Sequence, residues 1–456
     1  MLDQGPGLDE GEGVLIAPAS EGAEALPVRG LGSEATPDGP ELGIVEALSR
    51  RKRLRQRRRT LRRFALRIGL VVMVPVVWSY GRALTGPGSD SLQARSVEWG
   101  RENHLGPVVD RVERWWFAHH QAPVGGVPKA SAGPLVIPES NTGPAGAAPP
   151  STVGTSSTAG SGPSATAGTA TGPTSAHHLE GPTPLVTPAD APVPNEGQWT
   201  PFGPTVGGVQ GAYVTSIRPD AVHTSVLDAV VWIDPTVLSL RQYPGLKIPG
   251  GPWDRPAYVE PTRQASLVAA FEGGFRLADS HGGMILGHRT LQALTVGSAT
   301  IAIDDNGMPN IGAWGTDITE SATLDSARQN LAPIVVDGAP APDLSTDPNR
   351  KWGFTGPANH SAVWRSGAGI RPDGSLVWVG GTGLTVQSLA ETLVRAGAIR
   401  GMQLDINQEW VQMNTYSAGT DGRVHGRRLL AGMEHTDDRW LSEDTRDFIA
   451  VFARTT

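Results

Sequence analysis

The stretch VWRSGAGIRPDGSLVWVGGTGLTVQSLAETLVRAGAIRGMQLDINQEW, residues 363–410, decides the fold. Asp373-Gly374 separates two apolar runs, and Asp-Gly is a hairpin dipeptide because both central residues of a type I′ turn require positive φ. This predicts two antiparallel strands. Thr385 is then a helix cap, Val386, Leu389, Ala390 and Leu393 recur at i, i+3, i+4 and i+7, and Gly397 ends the helix. Immediately afterwards Met402, Leu404 and Ile406 alternate with Gln403, Asp405 and Asn407, the period of a strand.

Outward from this segment the texture repeats. Strand-length apolar runs occur at 229–233, 266–271, 300–304 and 334–336, and Asn306-Gly307 and Asp421-Gly422 mark further hairpins. Residues 198–456 are therefore expected to form a single mixed α+β domain, rich in strand.

The rest of the chain has a different character. Gly (58) and Pro (38) among 456 residues exceed their ordinary combined share of about 12%, which predicts long linkers. The formal charge of −7 hides three regions: −9 over residues 1–49, +11 over 50–67 and −9 beyond. Residues 1–49, acidic and rich in Gly and Pro, read as a disordered cytoplasmic tail. Residues 50–63 are a basic juxtamembrane run. Residues 64–84 are apolar apart from Arg67 and Arg82, and 21 residues at 1.5 Å rise span about 31 Å, enough for a transmembrane helix. The uncharged run proper is only 68–81, so a cleaved signal peptide is the competing reading; the long tail before it favours an uncleaved anchor. The positive-inside bias then places the N-terminus in the cytoplasm and the C-terminal domain outside the cell membrane. Adjacency to that span, and the lack of interleaved aromatics, assigns the basic run to lipid and topology rather than nucleic acid.

In residues 92–120, Val108, Val109, Val112, Trp115 and Trp116 lie opposite Asp110, Arg111, Glu113 and Arg114. This is an amphipathic helical segment that either lies on the outer leaflet or docks on the folded domain. Residues 121–197, dominated by Gly, Pro, Ser and Thr, read as a linker. The absence of Cys excludes disulfides, zinc-thiolate sites and cysteine nucleophiles. No cofactor or metal site is expected: Asp304, Asp305, Asp317 and Asp337 stand at turn signals without calcium-loop spacing.

Four glycine-dense segments place polar residues where backbone approaches a ligand: 269–276, 281–288, 364–370 and 402–410. Together they resemble the phosphodiester glycosidase domain family (N-acetylglucosamine-1-phosphodiester alpha-N-acetylglucosaminidase-like). Its Asn-Gly-Gly-Phe motif is similar to Glu272-Gly273-Gly274-Phe275, with Glu272 in place of Asn. Its Arg-(Ser/Thr)-x-x-Gly strand is similar to Arg365-Ser366-Gly367-Ala368-Gly369, and its helix before Leu-Asp is similar to 385–398 followed by Leu404-Asp405. The family's usual continuation, Gly-Gly-Gly-Ser, is replaced by Ile406-Asn407-Gln408-Glu409, which with Arg328-Gln329-Asn330-Leu331 resembles a bacterial branch.

The resemblance implies a hydrolase that separates an anomeric carbon from a phosphate oxygen. Phosphate is a good leaving group, so such a site needs cations on phosphate and a carboxylate at the anomeric side. Asp405 is the first choice for the carboxylate and Glu272 the second. Arg365 is the first choice for phosphate, with Arg276 and His288 secondary; Asn407, Gly273 and Gly274 complete the substrate contacts. The expected partners are a sugar phosphodiester or cell-envelope glycan and, through the anchor, membrane lipid. The alternative is a non-catalytic module that binds an envelope polymer on the same fold.

Overall fold

A computed structural model describes residues 41–128, 178–344, 351–353 and 360–455. The expected disorder of 1–40 and the linker core 129–177 lie outside these residues. Backbone contacts divide the chain into one unit ending at Pro75 and a second, Val76–Thr456.

The helix α1, Glu41–Leu84, includes both the basic run and the apolar segment. It begins inside the stretch expected to be structureless, because after Pro40 the sequence ELGIVEAL is rich in helix formers. Ser49–Leu84 is, among the described residues, the one helical stretch long and apolar enough to cross a membrane. Phe64, Leu66, Leu70, Val71 and Val77 on it are all exposed.

In the second unit, α2 (Leu92–Glu102) and α3 (Gly106–His119) precede a strand-rich α+β domain. Its largest sheet has eight strands in the order Thr200–Pro201, Ala212–Ile217, Asp228–Ile233, Leu376–Leu384, Val363–Ile370, Arg400–Gln403, Pro333–Val336, Ala339–Pro340. A five-stranded sheet runs Pro309–Ala313, Ala299–Asp304, Leu324–Gln329, Met284–Leu286, Arg289–Gln292. Another runs Val424–Arg428, Met413–Ala418, Leu267–Glu272, Phe448–Ala453, Leu238–Tyr243. Every strand pairing within these sheets is antiparallel.

The three sheets share one core. Ala229, Val231 and Ile233 of the large sheet meet Ile301 and Ile303 of the second and Phe271 and Ile449 of the third. The alternate residues Val230 and Trp232 face the other way, onto Leu389, Ala390 and Leu393 of the helix Val386–Arg395. Burial on both faces explains why 228–233 is an unbroken apolar run after Asp228. The helix has the expected cap: Thr385 and Ser388 form a reciprocal capping box, and Gly397 takes φ +92° just beyond it.

The three expected hairpins all form, pairing 299–304 with 309–313, 363–370 with 376–384 and 413–418 with 424–428. Their turns are not type I′. Gly307, Gly374 and Gly422 have positive φ, but Asn306, Asp373 and Asp421 do not. The Asp side chains hold the turns differently: Asp373 Oδ1 accepts from Ser375 N at 2.9 Å, and Asp421 Oδ1 from Arg423 N at 3.0 Å.

The ordered body also reaches into the stretch expected to be linker. Ala122 N donates to Ala362 O and Gly125 N to Val222 O, each at 2.7 Å. Leu179 N donates to Asp234 Oδ2 at 2.9 Å, and buried Glu196 pairs with Arg218 Nη2 at 2.8 Å. Composition averaged over a window cannot reveal such isolated anchors, because their partners lie elsewhere in the chain.

Candidate active site

Just beyond the strand Arg400–Gln403, residues 405–407 form the floor of a cavity of about 880 Å³. Asp405, Ile406, Asn407 and Trp410 contribute to that floor, while Phe275, Arg276 and the single helical turn Leu277–Ser280 form one side. Glu98 and Arg101 of α2 and Asp110, Glu113 and Phe117 of α3 form an adjoining wall, joined to that side where Arg101 Nη1 lies 3.8 Å from Asp279 Oδ1.

Asp405 is almost fully buried. Its Oδ1 accepts from Ile406 N at 2.8 Å and Asn407 N at 3.2 Å, and Arg446 Nη1 approaches Oδ2 at 3.4 Å. Burial pushes its carboxyl up to about 6, against the opposing pull of Arg446 and the two amides. Arg446 lies over the Trp410 ring, 3.3 Å from its centroid, and reaches Glu98 Oε1 at 3.1 Å. One guanidinium thus joins α2, an aromatic face and the buried carboxylate.

Behind Asp405 lies a second acid. Glu272 Oε1 accepts from Ser366 Oγ, Glu272 Oε2 from Gln412 N at 3.2 Å, and Ser366 Oγ in turn accepts from Asp405 N at 3.2 Å. Burial raises the Glu272 carboxyl to about 8; it is therefore mainly protonated at neutral pH. It does not line the cavity; Ser366 Oγ bridges it to Asp405 N.

The segment 328–331 ties these parts together. Asn330 Nδ2 donates to Leu404 O at 2.8 Å, and its Oδ1 accepts from Phe275 N at 3.3 Å. Arg328, fully buried, donates from Nε to Asp447 Oδ2 at 2.9 Å and from Nη2 to Phe275 O. Gly273 and Gly274 let the backbone pass between these groups. A Cβ on Gly273 would lie 2.2 Å from Asp447 Oδ2, and Gly274 has φ +111° beside the Asn330 amide.

No family model and no curated protein sequence matches the chain. Solved structures are distantly similar. The catalytic domain of zebrafish N-acetylglucosamine-1-phosphodiester alpha-N-acetylglucosaminidase, auto-inhibited by its pro-peptide, is 13% identical with a TM-score of 0.33, over 54% of this chain and 82% of that one. A hypothetical protein from Synechocystis is 12% identical with a TM-score of 0.34, over 55% and 64%. A protein of Burkholderia pseudomallei described as exported is 11% identical with a TM-score of 0.28, over 50% and 74%.

Of the residues singled out from sequence, Asp405, Asn407 and Arg276 line the cavity, with Glu272 directly behind. Arg276 is held by Asp279, Nε to Oδ2 at 2.7 Å. Arg365 is elsewhere. It is fully buried on the helix-facing side of the sheet, where Nε donates to Leu384 O and Nη1 to Gln403 Oε1, each at 2.9 Å; burial lowers it to about 9. Strand alternation gives the reason: successive side chains point to opposite faces, so Ser366 reaches Glu272 and Asp405 while Arg365 points away. His288 is exposed at a hairpin tip, with Nε2 2.7 Å from Asp305 Oδ1. Together with Asp325 these groups could hold a metal ion, although Arg255 already pairs with Asp325. Gly273 and Gly274 do not line the cavity and serve the close backbone crossing instead.

Sequence reasoning missed Arg446, Glu98 and Asp447. A signal existed for two of them: Asp444-Thr445-Arg446-Asp447 is a charged run directly against the apolar strand Phe448–Ala453. Such charge at a strand entrance requires partners. Glu98 had no such mark, being one acid on a mixed helix.

Proposed function

We propose that this chain is a membrane-anchored, extracytoplasmic hydrolase that cleaves a glycosyl phosphodiester or a related cell-envelope glycan. The observation that carries the reading is the buried Asp405 at the cavity floor, with its carboxyl near 6 and Arg446 and the Trp410 ring beside it. A carboxyl in that range is mostly ionised at neutral pH yet basic enough to take a proton or attack an anomeric carbon. Arg446 and Arg276 replace Arg365 as the groups offered to phosphate, with their forks suited to its oxygens. The cavity volume accommodates a sugar phosphodiester. The motif resemblance supplies the substrate class, and the apolar helix α1 supplies the anchor, with its basic run on the cytoplasmic side.

The non-catalytic alternative draws support from one observation: each of these cations already has a carboxylate partner, Arg276 with Asp279 and Arg446 with Glu98 and Asp405. A single experiment separates the two. Full-length protein in detergent is incubated with a panel of glycosyl-1-phosphodiesters and reducing sugar is measured. The hydrolase reading expects release that Asp405→Asn abolishes with little change in the thermal melt. Retention of envelope glycan without release from any substrate would establish the binding module instead.

A further inference from the structure

Helix α3 wears its amphipathicity inside out. Asp110, Glu113 and Phe117, at successive turns, face the cavity. There Arg101 of α2 meets Asp110 Oδ1 at 3.1 Å and Glu113 Oε2 at 2.5 Å. Burial raises the Glu113 carboxyl against the pull of that arginine. The polar side of α3 is thus docked on protein. Its apolar side is not: Val108, Val112, Trp115 and Trp116, spaced 4, 3 and 1 along the helix, are 60%, 58%, 57% and 47% exposed, and Leu105 extends the stripe at 44%. Single exposed apolar residues are ordinary, but a continuous stripe with two tryptophans calls for a covering.

What the stripe is fastened to identifies the covering. The last turns of α1, 76–84, are fastened to α2. Trp99 Nε1 donates to Ser79 Oγ at 3.0 Å, Tyr80 OH lies 2.8 Å from Ser96 Oγ, and the Tyr80 and Trp99 rings meet at 5.1 Å. Arg95 Nη2 donates to Gly88 O at 2.7 Å and Nη1 donates to Gly86 O, which fixes the connection between the two helices. Helix α3 is then fastened to α2 through Arg101 and through Gly100, where an added Cβ would sit 3.2 Å from Val109 Cγ2. The stripe is therefore rigidly linked to the end of the apolar helix. Tryptophan is the residue most at home at headgroup depth, and the exposed Arg111 belongs to the same helix.

Resting on the reading of α1 as a membrane anchor, we infer that the stripe formed by Val108, Val112, Trp115 and Trp116 lies in the outer leaflet at headgroup level. The bilayer is then its partner, and α3 is the partition between lipid and cavity. A single helix, about 10 Å across, separates Asp110 and Glu113 from the lipid. The site is held at the membrane surface rather than carried away on a tether. Because α3 carries Asp110 and Glu113 against Arg111 and Arg114, and so no net charge, attachment depends on apolar area and tolerates salt, unlike that of a polybasic helix.

The absence of cysteine makes the test direct. Full-length Val112→Cys, Val71→Cys and Asp421→Cys, each carrying one environment-sensitive fluorophore, are reconstituted into vesicles of neutral lipid with or without bromine on the acyl chains. The expected result is blue-shifted emission and quenching by brominated lipid at positions 112 and 71, unchanged in high salt, with neither at 421. Quenching at 71 but not at 112, with the 112 label open to aqueous iodide, overturns the inference and leaves the anchor intact. Shielding of 112 from both quenchers also overturns it and points to a second copy as the covering. Loss of lipid quenching at 71 refutes the anchor reading itself, and the inference with it. A label-free variant guards against a disturbed fold: Trp115→Phe with Trp116→Phe should lower the fraction of native tryptophan emission that brominated lipid removes, and an unchanged fraction counts against the stripe.

Discussion

Replacing Glu272 by Gln should change how stability depends on pH. The native carboxyl is raised from 4.5 to about 8, chiefly by burial. In the unfolded chain it loses its proton near 4.5, whereas the native state retains it to about 8, so between these values the unfolded state binds fewer protons and stability falls as pH rises. Below 4.5 both states are protonated and the site contributes nothing; above about 8 the penalty is complete. At 1.36 kcal/mol per pH unit the full penalty is about 5 kcal/mol, and its share between pH 6 and 8 is roughly 2–3 kcal/mol. Gln is the neutral mimic of the protonated acid: its carbonyl accepts from Gln412 N as Glu272 Oε2 does. The assay is urea unfolding of the full chain in detergent, followed by tryptophan fluorescence at pH 6, 7 and 8 and fixed ionic strength. Asp90, raised to about 6, and His435, lowered to about 3, are common to variant and parent and cancel in the comparison, while Asp405, raised to about 6, is mostly ionised over the upper part of the window. The variant should gain on the parent by roughly 2–3 kcal/mol from pH 6 to 8. Parallel pH dependences in the two proteins would refute the reasoning.

Two further substitutions probe the groups around the floor. Asp447→Asn leaves the fully buried Arg328 guanidinium without its carboxylate and should cost about 3–5 kcal/mol, read as a lower urea midpoint. Arg446→Met removes the cation that holds the Asp405 carboxyl down. The acidic limb of the pH–activity profile should move to higher pH, and infrared titration of the Asp405 carboxyl should move with it; an unmoved limb would separate Arg446 from Asp405.

The parts of the site that were legible from sequence share a cause. The segments 272–275, 328–331 and 404–407 do converge, because each is a strand end or a glycine crossing whose residue types are dictated by close backbone approach. Gly273 must be Gly where Asp447 is 2.2 Å from a Cβ, and Asn330 must bridge two segments of the backbone, at Leu404 and Phe275. Asp405 was legible because it ends a strand. Arg365 was misplaced by one residue's worth of geometry: the motif names the strand, but only the pairing of that strand in a doubly covered sheet decides which of Arg365 and Ser366 is turned toward Glu272 and Asp405. Arg446 and Glu98 had to await the structure, since their importance lies in partners 41 and 348 residues away.

Sequence alone determined the strand-rich α+β domain, its hairpins, the capped helix 386–395 and the apolar helix, because each follows from local periodicity, turn chemistry or capping within a few residues. Tertiary structure decided that the segment 85–128 belongs to the domain. Glu409 receives Ser91 N at 3.0 Å and Ser91 Oγ at 2.7 Å, and Thr445 Oγ1 donates to Asp90 Oδ2 at 2.8 Å. It also decided which face of α3 is turned outward. An amphipathic pattern specifies two faces but not which one meets protein; here the ion pairs of Arg101 draw the polar face inward and leave the tryptophans outside.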